Sequence, residues 1–438
     1  MYQTIVHHFP SLFDWMREID DCRKKQSTYE LAALLTACLS LFLFKAESRN
    51  GYNNLREDLR FEKNYRRLFK WPMPHMDTVD RVMRHIETEQ IERLKQRMVQ
   101  TLLRRKVFHN QRYRNRWFAV AIDGTGVMSF NEQHCEQCLH KTSKKGKTTW
   151  MHHVLEARLV TANGFSISLM TEWIENPADQ TYDKQDCERK AFTRLATRLK
   201  KAFPRLPILI LADGLYPYEG FFATCKAHQW CYIVTFKEGN LTTLWEEVGE
   251  LLPYQQQNQY KEHITNPEQN TEDRHYRWVT GLTYQGYSLH WLECRETITQ
   301  TNKKGESEKI ERVFTHITDL SLNTQNIVST SRTGRLRWKI ENEGFNSLKN
   351  EGYALQHKYS RVSYQATKNY YQLIQIAQLI NQLMINSTRF QTVYFSSKNH
   401  PTLKSLWQNL IAVMKWAELD ADHLQTITKQ KIQFRFIS

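Results

Sequence analysis

Proline and glycine are scarce in this chain, at 10 and 15 among 438 residues. So few breakers exclude a collagen-like or loop-dominated protein and leave room for long regular elements. The eight cysteines follow no framework spacing, which excludes a disulfide scaffold and fits a reducing cytoplasm. Long apolar runs are missing as well. The most apolar stretch, LAALLTACLSLFLF at 31–44, is shorter than the roughly 20 residues a bilayer span needs and reads as a buried helix. MYQTIVHHFP at the start has no basic segment ahead of an apolar one, so no secretory signal is expected. Acids are in deficit: 46 Asp and Glu face 61 Lys and Arg, a net +15. A surface of that sign attracts polyanions, nucleic acid first among them.

Hydrophobic and aromatic shares of 40% and 12% suffice for packed cores, and the length suggests two or three domains. Residues 1–112 read as a helical region. Apolar residues at helical spacing run through 28–44 and 77–105, with Asp77 or Thr78 placed to cap the second helix. From Arg93 to Arg116 there is no acid at all. The basic side chains Arg104, Arg105, Lys106, Arg112, Arg114 and Arg116 therefore lack local partners and are candidates for contacting phosphate.

The texture changes at 113. WFAVAID (117–123) reads as a buried strand, and HHVLEARLV and FSISLMTEW flank TANG as a hairpin. A helix over 183–203, acidic at its start and basic at its end, leads to the strand PILILAD (207–213). A helix over 216–229 and a strand over 230–236 follow. This order implies an α/β fold with a mixed sheet over 113–239. Residues 240–327 are polar but hold strand-like pieces, and read as a β-rich insertion subdomain. From 328 to 438 helices return, over 331–352, 369–387 and 402–419.

Two apolar strands thus hand over to a carboxylate followed by glycine, at Asp123–Gly124 and Asp213–Gly214. In a mixed sheet such ends converge on one crevice. Two carboxylates held close repel unless a cation lies between them, and Mg²⁺ or Mn²⁺ is the natural occupant of such oxygen sites. A third acid comes from RWKIENEGFNSLK (337–349), where Leu336, Ile340 and Leu348 form an apolar stripe and Arg337 and Glu341 lie one turn apart. Glu343 competes for that role, but lies about 200° further round an α-helix.

AIDGTG, LADGLYP and RWKIENEGFNSLK together resemble the DDE transposases of bacterial insertion sequences, in the branch with an Arg-Trp-x-Ile-Glu helix signature. TEWIENP (171–177), KQDCE (184–188) and FKEGNL (236–241) look like that branch too. The resemblance covers 117–236 and 332–360. It implies a ribonuclease H-like core with Asp123, Asp213 and Glu341 holding two Mg²⁺ or Mn²⁺ ions, and Arg337 and Lys349 on phosphates. It further implies a homodimer that joins two DNA ends in the bacterial cytoplasm, with no membrane role. A non-catalytic DNA-binding descendant and a plain metal-dependent nuclease are the alternatives. The branch's tyrosine and lysine positions are Gly334 and Leu348 here, with Lys349 one step late.

Other motifs carry less. HCEQCLH (134–140) pairs Cys135 with Cys138, two of the four ligands of a structural zinc, and reduced cysteines in a loop are the favoured reading. Cys187 reads as a core or half-buried thiol. The aromatic residues of HYRW and SLHW suit either base stacking or the packing of a small β unit.

Overall fold

The computed structural model describes residues 1–24, 27–177, 184–265, 271–301, 307–395 and 402–434. Among them, ten strands form one mixed sheet. The first four are β1 (Phe118–Phe130), β2 (Leu139–Thr142), β3 (Thr148–Val160) and β4 (Ser166–Ile174). β5 (Ile208–Ala212) and β6 (Cys231–Thr235) alternate with helices. β7 (Gln259–Thr265), β8 (Thr271–Tyr284), β9 (Tyr287–Thr301) and β10 (Ser307–Thr318) complete the set. Their order across the sheet is β2-β3-β1-β5-β6-β10-β9-β8-β7, and β4 also pairs with β3. Only β1, β5 and β6 run parallel.

The parallel centre reads in the sequence as continuous apolar runs because both faces are covered. Ala119, Ala121, Leu209 and Leu211 meet Ile340 and Phe345 on one face. Val120, Ile122, Ile208 and Ile210 pack on the other, with Ala191 and Phe192 of helix Glu188–Ala202 and Phe221 of helix Glu219–His228. The TANG turn closes the β3–β4 hairpin, with Gly164 at a φ of +94°, where a side chain would be strained. The expected helix over 183–203 begins at Glu188, and Asp183 lies outside the described residues.

Four features depart from the local pattern. β1 does not stop at Asp123 but continues to Phe130, because β3 keeps pairing with it that far. The span 77–105 is two helices, Met76–Met83 and Thr88–Arg104. The cap of the first is His75, whose Nδ1 accepts the Asp77 N–H at 3.3 Å, in place of Asp77 or Thr78. The stretch 240–327 forms no sheet of its own: β10 pairs antiparallel with the outer edge of β6 and extends the central sheet. Finally, the helix expected over 331–352 is broken into Ile327–Arg335, a π-helical turn at Ile340–Asn346 and a last turn at Ser347–Asn350.

All 13 residues of helix Leu31–Leu43 are buried. Helix Tyr364–Ile385 packs against it, against helix Thr88–Arg104 and against β4. The N-terminal helices and the sheet therefore share one core. Among the described residues no helix is long and apolar enough to cross a membrane.

Candidate active site

β1 and β5 pair in parallel up to Ala121 and Leu211. Asp123 and Asp213 each lie two residues further on, so the strand register sets them side by side. β5 ends there at Ala212, and the Asp213 carboxylate turns back to accept the Leu215 N–H at 2.9 Å. Asp123 sits mid-strand, at the point where its parallel partner leaves.

Arg337 reaches the pair from the turn before the π segment. Its Nη1 lies 3.4 Å from Asp123 Oδ2, and the residue is only 8% exposed. Its guanidinium also stacks on Trp338, which is half exposed. Even with this cation close by, the Asp123 carboxyl is pushed up to about 6. Desolvation is the main cause, and the charges of Asp213 and Glu341 add to it.

That coupling separates the two glutamates. Glu341 is exposed and acts on Asp123. Glu343 is tied up by an ion pair with Lys339. The π turn is wider than an α turn, so an angle counted at α-helical pitch does not apply here. Its carbonyls are held from behind: Gln378 Nε2 donates to Glu343 O and Gly344 O, both at 3.1 Å, and Gln382 Nε2 donates to Glu343 O at 3.2 Å. Gly344 lets the segment close on β3 and β4, since a Cβ there would stand 3.0 Å from Ser166 Oγ and 3.1 Å from Arg158 Nε.

A fourth carboxylate, Glu188, enters from the first turn of helix Glu188–Ala202. It is pushed up to about 7 by desolvation and then by the charges of Asp123 and Asp213. Gly124 makes room for it: a Cβ at Gly124 would overlap Glu188 Oε1 and lie 2.7 Å from its Cδ. Buried Tyr216 stands beside all three acids, and its hydroxyl is pushed well above the ordinary range by burial and by their charges. Glu188 was visible in sequence only as the last residue of KQDCE, where an acid at a helix start reads as a dipole partner.

The other expected residues are dispersed. Lys349 lies near His153 on β3, whose imidazole is pushed down first by burial and then by that lysine. Arg114 and Arg116 are near Cys231 at the start of β6. That is the opposite end of the parallel strands, and the seven-residue rise from Arg116 to Asp123 spans roughly 23 Å. Arg105 donates to His7 O at 2.5 Å, and Arg112 to His109 O at 2.9 Å. Arg104 and Lys106 are exposed. The basic strip therefore does not border the carboxylates. Trp278, Trp291 and Tyr276 are at most 2% exposed and pack the core, so they are not available for base stacking. Cys187 is exposed, contrary to expectation, because it precedes the first turn of its helix.

Gly334 and Leu348, which depart from the branch pattern, have steric reasons. A Cβ at Gly334 would come within 2.8 Å of both His316 Nε2 and Ile233 Cγ2, so no tyrosine fits. Leu348 is fully buried, leaving Lys349 as the nearest partly exposed position. An open cleft of about 920 Å³ runs from Asp213 along the sheet extension, with Lys237, Arg295, Arg335, Arg337 and Trp338 in its walls.

No known family model matches the chain, and no curated protein does. What the site can do rests on its own chemistry.

Two of its acids resist ionisation. Asp123 and Glu188 hold their protons more tightly in the fold than in the unfolded chain. The stability they contribute is full below the ordinary carboxylate range and is lost as pH rises through about 6 to 7. A divalent cation bound among them must displace those protons. Mn²⁺ should therefore raise the melting temperature more at pH 8 than at pH 5, in a thermal-shift titration. An equal shift at both values, or the same shift in Asp123→Asn, would contradict this account of the cluster.

Proposed function

We propose that the chain is a DNA transposase of the DDE type, which cuts at the ends of an insertion sequence and joins them to target DNA. The observation that carries this reading is the convergence of Asp123, Asp213 and Glu341 at the end of the parallel β1–β5 pairing, beside buried Arg337. An antiparallel β4-β3-β1 meander followed by parallel β5 and β6 is also the arrangement expected of a ribonuclease H-like core.

The donor set fits hard divalent ions. Asp123 stands beside Asp213 in the β1–β5 register and is electrostatically coupled to Glu341 and Glu188, although no three of these carboxylates have oxygens within 4.8 Å of one another. Hard oxygen donors suit Mg²⁺ or Mn²⁺. Asp123, Asp213 and Glu341 would hold the ions, with the charge of Glu188 coupled to the two aspartates. Bound there, divalent ions supply Lewis-acid activation of an attacking oxygen and neutralise charge on a scissile phosphate. The chain's own residues do the rest. Arg337 presents a guanidinium fork suited to a phosphate oxygen pair, held in aim by its stacking on Trp338. The basic cleft wall receives the strand leading away from the cut. Trp338, half exposed, offers a face on which a base can stack. A homodimer follows from the need to hold two ends at once.

The test is incubation of the purified chain with DNA carrying the flanking inverted repeats of its own element, with Mg²⁺ or Mn²⁺. Expected products are ends with free 3′-hydroxyls that then join to a target plasmid. Free ends that never join would leave a nuclease, and an absence of cutting at the element's ends would sink the reading.

A further inference from the structure

The end of β1 remote from the carboxylates holds a second cluster that the proposed reaction does not use. Cys135 Sγ lies 3.6 Å from Cys138 Sγ, and His152 Nε2 lies 3.5 Å from the first and 3.4 Å from the second. A tetrahedral zinc, with Zn–S of about 2.3 Å and Zn–N of about 2.0–2.1 Å, places its ligand atoms roughly 3.4–3.8 Å apart. Three corners of that tetrahedron are thus formed. His134 is the candidate for the fourth, with a ring nitrogen within 4.8 Å of the ligand atoms of Cys135 and His152, a group that does not extend to Cys138.

The surroundings suit a metal site at His134, while His152 Nδ1 is buried with no hydrogen-bond partner. A ligating histidine ordinarily gives its other N–H to a carbonyl or carboxylate, which fixes its tautomer. His134 Nε2 is 2.9 Å from the Arg361 carbonyl, which leaves Nδ1 as a free lone pair. That Nδ1 is buried and has no hydrogen-bond partner. Both rings are held flat against aromatic neighbours, His134 on Phe130 at 4.3 Å and His152 on Tyr364 at 3.9 Å. The Cys135–Cys138 loop is pinned from outside by Asn176, whose side chain donates to Cys138 O at 2.9 Å. Cys138 and His152 are at most 1% exposed.

We propose that His134, Cys135, Cys138 and His152 bind one structural zinc ion. Four protein ligands leave no open position, so the ion is a clamp and not a catalyst. Two thiolates and two imidazoles favour zinc over the hard ions suited to the carboxylate cluster. The clamp joins the loop after β1 to β3. Through Arg361 and Tyr364 it also reaches the start of helix Tyr364–Ile385, the helix whose glutamines hold the Glu341 segment. Sequence showed Cys135 and Cys138 with His134 beside them; choosing His152 needed the β1–β3 pairing, which sets Met128 opposite His152. The inference is independent of the transposase reading, since a zinc clamp is compatible with any chemistry at the other site.

The experiment is metal analysis of the full chain, followed by replacement of zinc with Co²⁺. Expected is about one zinc per chain, and a cobalt form with the strong visible bands of tetrahedral coordination and a thiolate-to-cobalt charge-transfer band. Cys138→Ser and His152→Ala should lose both. His140→Ala, altering a neighbouring histidine packed at a tilt against Trp150, should keep them. Should a ligand variant fail to fold, alkylation of the unaltered chain decides. Cys22 and Cys187 are exposed and should react at once, whereas Cys135 and Cys138 should react only after a chelator is added. A metal-free chain after zinc loading, a Cys135–Cys138 disulfide, or alkylation indifferent to chelator would overturn the proposal.

Discussion

Asp123→Asn and Asp213→Asn are each expected to cut DNA-end cleavage by at least roughly 10³-fold, the scale on which loss of transition-state electrostatics is felt. Glu341→Gln should do the same, while Glu343→Gln should leave cleavage nearly intact. The contrast follows from the electrostatics: Glu341 raises the Asp123 proton affinity, whereas Glu343 is spent on Lys339. The Lys339–Glu343 pair is partly exposed, so its loss should cost less than about 1 kcal/mol. Stability should move the other way where the fold disfavours the charge. Without metal at pH 8, Asp123→Asn and Glu188→Gln remove a charge that the fold disfavours, so both should melt higher than the unaltered chain. An inactive and more stable protein is the signature of a site held under repulsion. Undiminished cleavage by Asp123→Asn would remove the acid cluster from the chemistry. A lower melting temperature would show that its role is structural.

The second large effect is expected at Lys95, whose partner Glu156 stands opposite Asp123 in the β1–β3 register. Lys95 is 1% exposed and donates to Ser168 Oγ at 2.8 Å and Thr171 Oγ1 at 3.0 Å. It lies 3.9 Å from Glu92, and its charge is coupled to buried Glu156. Glu92 also pairs with Arg198, and Glu156 accepts from Thr171 and from Tyr371 Oη at 3.0 Å. This network binds helix Thr88–Arg104, β3, β4, helix Glu188–Ala202 and helix Tyr364–Ile385 to one another. Lys95→Met takes a buried cation from beside two buried carboxylates, leaving Glu92 with Arg198 and Glu156 with Arg158 at 4.0 Å, and breaking such a buried pair costs roughly 3–5 kcal/mol. Urea denaturation should show it as a lower midpoint. Adding Glu156→Gln should recover part of the loss, because one stranded charge is then gone. A midpoint unchanged by Lys95→Met would mean that the network carries no net stability.

Lys95 also shows where sequence reading stops. It stood within a run free of acids, and such a run reads as a solvated or phosphate-facing strip. Apart from Glu92, one turn back on the same helix and just outside that run, its partners lie on other elements, as does Glu18, which pairs with Arg97. Local spacing reveals only partners three or four residues away. The parallel strands were legible because ILILA and AVAI are apolar at every position, and the two aspartates because each interrupts such a run. The extension of β1 was not legible, since GTGVMSF carries no strand signal and is held by its pairing with β3. Glu188 was hidden for a related reason: its neighbour in space is Gly124, and what matters there is an absent side chain. The π segment was equally silent, because carbonyls of Glu343 and Gly344 are satisfied by glutamines that follow in a later helix.

Helix Tyr364–Ile385 has a consequence for how the protein is made. Seventeen of its 22 residues are buried, and they complete the packing of helix Leu31–Leu43. On a ribosome adding about 5–20 residues per second, the early helix therefore waits roughly 15–70 s for its partner. Through that interval its apolar side chains stay uncovered, so nascent chains truncated before residue 364 should depend on chaperones to stay out of aggregates.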